Sequence, residues 1–181
     1  MKLTEKNGYT IISDFDSAVE FADINAETAV LVFMPEKSFC ADADFMRNIP
    51  YITVLASESL QDYSPEILMM FDVRLAKEPY FMRNSAEYLD TYRKICGKNS
   101  AYCYESTPET DNFQTDLIHQ LSGNFTDAVD EYLTNILKVK SDYQIKAIAS
   151  CLITARKGSA DAVLDEESKQ FYRLIRKKAE V

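Results

Sequence analysis

Two uninterrupted apolar runs stand out in the first half of the chain, Ala29 to Met34 and Tyr51 to Ala56. Pro35 closes the first and Pro50 opens the second, and runs of this length suit strands buried on both faces of a sheet. A shorter strand is predicted around Tyr9 to Ile12, preceded by a polar start. Ser13 or Asp14 would cap a helix whose apolar face is Phe15, Ala18, Val19 and Ala22. After the second run, Ser64-Pro65-Glu66 places a cap, a proline at the first helical position and an acid in the first turn. A short helix through Met70 and a third strand over 71–76 complete an alternating order that implies a parallel α/β arrangement.

The second half has the period of helices. Segments 84–95 and 98–105, around Gly97, and then 111–121 are read as helices. Another is expected over 126–138, with Val129, Leu133, Ile136 and Leu137 on its apolar side. Ser141-x-x-Gln144 forms a capping box for a helix that presents Ile145, Ile148, Leu152 and Ile153 and stops at Gly158. A last helix, about 160–179, carries Val163, Leu164, Phe171, Leu174 and Ile175, a stripe that needs a partner.

Composition narrows the function more than the fold. The chain has 181 residues, 46% of them hydrophobic, so one domain with a sizeable core is expected. A net charge of −9 argues against a general nucleic-acid binder. The balance reverses from Ile145 onward, where eight Lys/Arg face five Asp/Glu. That basic end would suit a phosphate-bearing ligand, or simply the C-terminal dipoles of its helices. The polar start and the lack of a long apolar run predict no membrane segment, and the four cysteines show no CxxC spacing, so a cytoplasmic protein with reduced thiols is expected. His119 is the one histidine, and no carboxylate group, including Asp42 with Asp44, has metal-ligand spacing. No P-loop, GxGxxG or GxSxG motif occurs.

Four segments in fixed order carry a family resemblance. These are Phe39-Cys40-Ala41-Asp42-Ala43-Asp44-Phe45, then Phe71-Asp72-Val73-Arg74-Leu75-Ala76, then the stretch from Arg93 to Ala101, and finally Ala149 to Leu174 with its acids Glu166 and Glu167 and aromatic Phe171. Together they resemble the crotonase superfamily, the enoyl-CoA hydratase/isomerase family, over roughly residues 14–180. The resemblance implies an α/β fold: a reduced crotonase-like ββα spiral core over 1–121, followed by a C-terminal helical, oligomerisation region over 122–181. Departures are visible. The N-terminal β-hairpin of the family reads as largely absent, Asp42 stands at a family glycine, the glycine-rich turn is replaced by residues 57–64, and the loop between Ala76 and Arg93 is shortened.

What the resemblance implies chemically is an acyl thioester, with coenzyme A as part of the substrate and no separate cofactor. Backbone N–H groups of Ala43 and Tyr63 would form an oxyanion hole that stabilises an enolate. Glu66, six positions before Asp72, would be the acid/base. Ala41, Asp42, Asp44 and Phe45 would line the substrate. An acid in a first helical turn also serves the dipole without any catalysis, so Glu66 has a purely structural reading beside the chemical one. Glu87 or Glu78 is the nearest second acid, which makes one-acid isomerase or decarboxylase chemistry a better fit than two-acid hydration. Two alternatives stand beside this: a crotonase-fold binding or assembly protein without catalysis, and an enzyme that takes acyl groups from a carrier protein. A homotrimer or a hexamer is the assembly the resemblance implies.

Overall fold

Both long apolar runs lie at the centre of one sheet. The computed structural model describes residues 2–6, 8–14, 30–36, 46, 48–64, 67–68, 70–83, 112–114, 118–138, 141–157 and 160–179. The helix expected after Ser13 and those expected over 84–95 and 98–105 lie outside the described residues.

Strands β1 (Lys2–Lys6), β2 (Tyr9–Ser13), β3 (Val30–Phe33), β4 (Ile52–Ser57) and β5 (Val73–Ala76) are hydrogen-bonded in that order, and the two-residue β8 (His119–Gln120) extends the sheet beyond β5. From β2 to β8 all neighbours are parallel, with Val32 opposite Val54 and Val54 opposite Val73. A separate antiparallel pair joins β6 (Phe81–Arg83) to β7 (Asn112–Gln114). Every residue of β3 is buried, as a strand covered on both faces requires.

Alternation along the strands divides the core. Ile12, Leu31, Phe33 and Leu55 point to one side, where they meet Met46, Ile49, Leu60, Tyr63, Leu68, Phe71, Tyr80 and Ile118. Tyr9, Ile11, Val30, Val32, Val54 and Ala56 point to the other, against helix α1 (Phe125–Lys138) and Ile145 of α2 (Asp142–Lys157). Helix α1 buries Phe125, Val129 and Leu133, one residue per turn, whereas Ile136 is exposed. The α2 capping box forms as its sequence predicts: the Gln144 N–H donates to Ser141 Oγ at 3.3 Å, and the Ser141 N–H donates back to Gln144 Oε1 at 2.9 Å.

Helix α3 (Ala160–Ala179) pairs with α2 through a polar contact. Ser150 Oγ and Gln170 Nε2 both donate to Glu166 Oε1, at 2.6 and 2.5 Å. These two bonds hold the Glu166 carboxyl below its usual range. Next to it, Cys151 is a half-buried free thiol, pushed up by burial and then by the charges of Glu166 and Glu167.

Two expectations are corrected. The N-terminal hairpin is present: β1 and β2 pair antiparallel, with Lys6 opposite Tyr9. Gly8 has φ +96°, which suits glycine, and a Cβ there would meet Leu137 at 3.2 Å. Asn-Gly is a strong hairpin signal, and the polar β1 hides it because an edge strand needs no apolar alternation to pair. The helix expected over 111–121 is not formed either. Asn112–Gln114 and His119–Gln120 are strands, and the Leu121 N–H donates to the Ala76 carbonyl at 2.7 Å. The apolar spacing of Phe113, Leu117 and Leu121 fits a helix, but β6 offers 112–114 a strand partner and the open β5 edge offers 119–121 another, which local periodicity does not foresee.

Candidate functional site

Parallel neighbours β3 and β4 set the location. Their pairing, with Phe33 opposite Leu55, brings both chain segments off the sheet at the same end, the C-terminal end of the strands. The segment after β3 contains Ala41 to Phe45 and the segment after β4 contains Tyr63, Ser64 and Glu66. In parallel α/β sheets this end is where ligands bind. Ala41, Asp42, Ala43, Asp44, Phe45 and Glu66 themselves lie outside the described residues. Tyr63 is described, and so is most of the crossover 58–72 that returns the chain to β5.

The crossover is fixed by specific hydrogen bonds. The N–H groups of Lys77 and Glu78 donate to the Glu58 carbonyl at 3.1 and 2.9 Å. The Tyr63 N–H closes a turn onto the Leu60 carbonyl at 3.1 Å. Ser64 caps the short helical turn that follows: its Oγ accepts from the Ile67 N–H at 3.4 Å and its carbonyl accepts from the Leu68 N–H at 3.1 Å. At the far end of the turn, Arg74 Nη1 donates to the carbonyl of Phe71 (2.7 Å) and to that of Leu68 (3.2 Å), which also accepts from the Phe71 N–H (3.3 Å).

Tyr63 goes inward. It is 5% exposed and packs among the side chains of the cluster that includes Leu60, Leu68, Phe71 and Tyr80. Burial, helped by the neighbouring Asp62, pushes its phenol up to about 12. The Tyr80 hydroxyl donates to the Tyr63 carbonyl at 3.2 Å within the buried region. The Tyr63 ring is thus part of the core, while Ser64 beside it is exposed.

At the opposite end of the strands, Asp72 and Arg156 pin the crossover to α2. Arg156 binds the Asp72 carboxylate through Nε (3.1 Å) and through an Nη2 ion pair, with both side chains largely buried. Its remaining donors reach the carbonyls of Ile49 (3.0 Å) and Tyr51 (2.9 Å) and the Thr53 hydroxyl (3.3 Å). Asp72 also accepts from the Thr53 N–H at 2.8 Å. A buried charge pair needs this kind of complete hydrogen bonding to be tolerated. The sequence marks Arg156 only as a cation in the last turn of a helix, and nothing local connects it to Asp72, 84 residues away.

Among the described residues no other chemical centre competes. Among the described residues no group of three or more His, Cys, Asp or Glu is placed to hold a metal ion. His119 lies exposed on β8, its ring 5.5 Å from that of Tyr132. Among the described residues no helix is long and apolar enough to cross a membrane.

No protein-family model matches the chain, and no curated protein matches it. Solved structures do. An enoyl-CoA hydratase from Thermoplasma volcanium GSS1 is 14% identical with a TM-score of 0.59, over 97% of this chain and 92% of that one. An enoyl-CoA hydratase from Mycobacterium marinum is 15% identical with a TM-score of 0.60, over 97% and 90%. A putative enoyl-CoA hydratase from Thermobifida fusca YX in complex with CoA is 11% identical with a TM-score of 0.57, over 99% and 94%. At this identity the likeness establishes the fold: the chain has the crotonase fold, α/β with C-terminal helices, as the four sequence segments imply.

Proposed function

We propose that this protein binds an acyl-CoA thioester at the C-terminal ends of β3 and β4 and acts on it by stabilising an enolate. The observation that carries the reading is the parallel β3–β4 pairing, from which the chain leaves at 34–36 and at 58–64 on the same end of the sheet, in a fold shared with enoyl-CoA hydratases, one of them in complex with CoA. Glu66 is the acid/base in this reading. Ala43 supplies one oxyanion donor, and the Tyr63–Ser64 stretch supplies the other. Ala41, Asp42, Asp44 and Phe45 line the acyl thioester. One-acid chemistry, an isomerase or decarboxylase, fits better than hydration because the loop between Ala76 and Arg93 is short; of its two glutamates Glu78 is exposed and Glu87 lies outside the described residues. No cofactor beyond the CoA of the substrate is required, and the reaction belongs in the cytoplasm.

Assembly as a homotrimer or hexamer is part of the same reading. Leu164, Phe171, Tyr172 and Ile175 of α3 are 50–67% exposed, more apolar surface than a solvated helix ordinarily presents. Light scattering should give three or six copies, and a monomer would remove this part.

A second reading is supported by Tyr63. A buried ring there replaces the glycine-rich turn of the family, which suits a protein that binds without turning over. Side-by-side assay of the wild type and Glu66→Gln on a panel of enoyl thioesters separates the two. Turnover lost in Glu66→Gln supports catalysis, and turnover undiminished in that variant removes Glu66 from it. Absence of turnover in both proteins, with CoA thioesters still bound, favours the binding role. Thioesters on an acyl carrier protein, run in parallel, test the carrier-bound alternative.

A further inference from the structure

The backbone groups of residues 63 and 64 are almost all committed. The Tyr63 N–H is bound to Leu60, the Tyr63 carbonyl to the Tyr80 hydroxyl, and the Ser64 carbonyl to the Leu68 N–H. The Ser64 N–H meets no acceptor among the described residues. The described residues contain no cis peptide bond, so the Tyr63 carbonyl and the Ser64 N–H point in opposite directions from one planar unit. Tyr80 lies in the core, at 5% exposure, and holds that carbonyl inward. The Ser64 N–H is thereby turned outward, at an exposed residue on the chain segment that leaves the C-terminal end of β4.

We infer that Tyr80 is a positioning residue for the thioester site: by holding the Tyr63 carbonyl it fixes the 63–64 peptide plane and presents the Ser64 N–H, not the Tyr63 N–H, to the thioester carbonyl oxygen. This inference rests on the acyl-thioester reading above. In the reaction the acyl C2 proton passes to the base, the C–H electron pair forms the new C=C bond, and the negative charge settles on the oxygen that the Ser64 N–H meets. The Tyr63 N–H is already spent on its own turn, so using it would cost the Leu60 hydrogen bond. Using the Ser64 N–H costs no hydrogen bond to the described residues.

Acetoacetyl-CoA tests it on the full chain, because its enolate has an ultraviolet band distinct from the keto form. Butyryl-CoA, which does not enolise appreciably, reports binding alone. Tyr80→Phe keeps the ring and removes only the hydroxyl. It should bind butyryl-CoA within about twofold of wild type while the enolate band falls roughly tenfold or more, and any turnover should lose kcat rather than gain KM. Ser64→Pro, which deletes the N–H and leaves the Tyr80 hydroxyl in place, should lose the band to a similar extent, and it keeps the inference testable should Tyr80→Phe fold poorly. An undiminished enolate band in either folded variant overturns the role of Tyr80. A wild type that binds neither thioester overturns the acyl-thioester reading and this inference with it, whereas a wild type that enolises acetoacetyl-CoA alongside an equally active Tyr80→Phe overturns this inference alone.

Discussion

The two faces of the sheet are covered in different ways. One face, built from Val30, Val32, Val54 and their neighbours, is covered by α1, whose backbone hydrogen bonds are satisfied within the helix and whose buried residues recur once per turn. On the other, Leu31, Phe33 and Leu55 meet, among the described residues, Met46, Ile49, Leu60, Tyr63, Leu68, Phe71, Tyr80 and Ile118, which lie on irregular connections and short helical turns. Irregular backbone has polar groups that no local ladder satisfies. Local turns meet some of them and side chains meet others: Arg74, from nearby in the chain, on Leu68 and Phe71, and, from farther away, Tyr80 on Tyr63 and Arg156 on Ile49 and Tyr51. A helical cover is thus an apolar problem solved locally, and an irregular cover adds a polar problem solved partly by side chains from a distance. Of the candidate site residues, Tyr63 packs on the irregular side.

The sharpest way to break that contrast is at Arg156. Replacing it with Met leaves the buried Asp72 carboxylate without its cation and two carbonyls without donors. Chemical denaturation should show a loss of about 3–5 kcal/mol. Replacing Asp72 with Leu at the same time should recover much of it, because the orphaned charge is then gone. A single-variant loss below about 1 kcal/mol would mean that the irregular face does not depend on this ion pair.

The helical face responds through packing alone. Leu133→Ala on α1 should cost about 2–5 kcal/mol, with CoA-thioester binding preserved in whatever fraction remains folded. Binding that weakens in the folded protein would show the two faces to be coupled, which the contrast denies.

Alkaline titration should separate the faces more gently. The Tyr63 phenol ionises near 10 in an unfolded chain and at about 12 when folded. Its contribution to stability is therefore complete below pH 10 and is lost as pH climbs through 12. In Tyr63→Phe, thermal melts between pH 9 and pH 12 should decline less steeply than in wild type. Equal slopes would remove Tyr63 as the cause. On the acid side, Asp130 behaves in the opposite sense. Burial by itself would raise its pKa, but hydrogen bonds from Lys6 and Tyr9 outweigh it and bring it down, so its contribution disappears as pH falls through that lowered value.

The smallest effect belongs to the most local device. Ser141→Ala removes the acceptor for the Gln144 N–H at the start of α2 and should cost about 1 kcal/mol by denaturation. A much larger cost would mean that the cap also positions Arg156 at the other end of the same helix.

The sequence by itself determined the elements whose stability is local or periodic. β3 and β4 follow from apolar runs, α1 from Val129 and Leu133, α2 from its capping box, and the α/β class from their order. The crotonase fold was legible from four short segments in order, although overall identity to solved relatives is only 11–15%. The β1–β2 hairpin was equally signalled by Asn-Gly in the sequence, but the polar β1 hid it. Tertiary structure decided the rest. It placed 119–120 on the β5 edge against their helical spacing, buried the Tyr63 ring, joined Arg156 to Asp72 and brought Tyr80 to the Tyr63 carbonyl. Each of these is a directional contact between groups far apart in the chain, and a directional contact has no period along the sequence. Apolar burial leaves a repeating trace because it depends on which face a residue occupies, whereas a hydrogen bond depends on where one particular atom ends up.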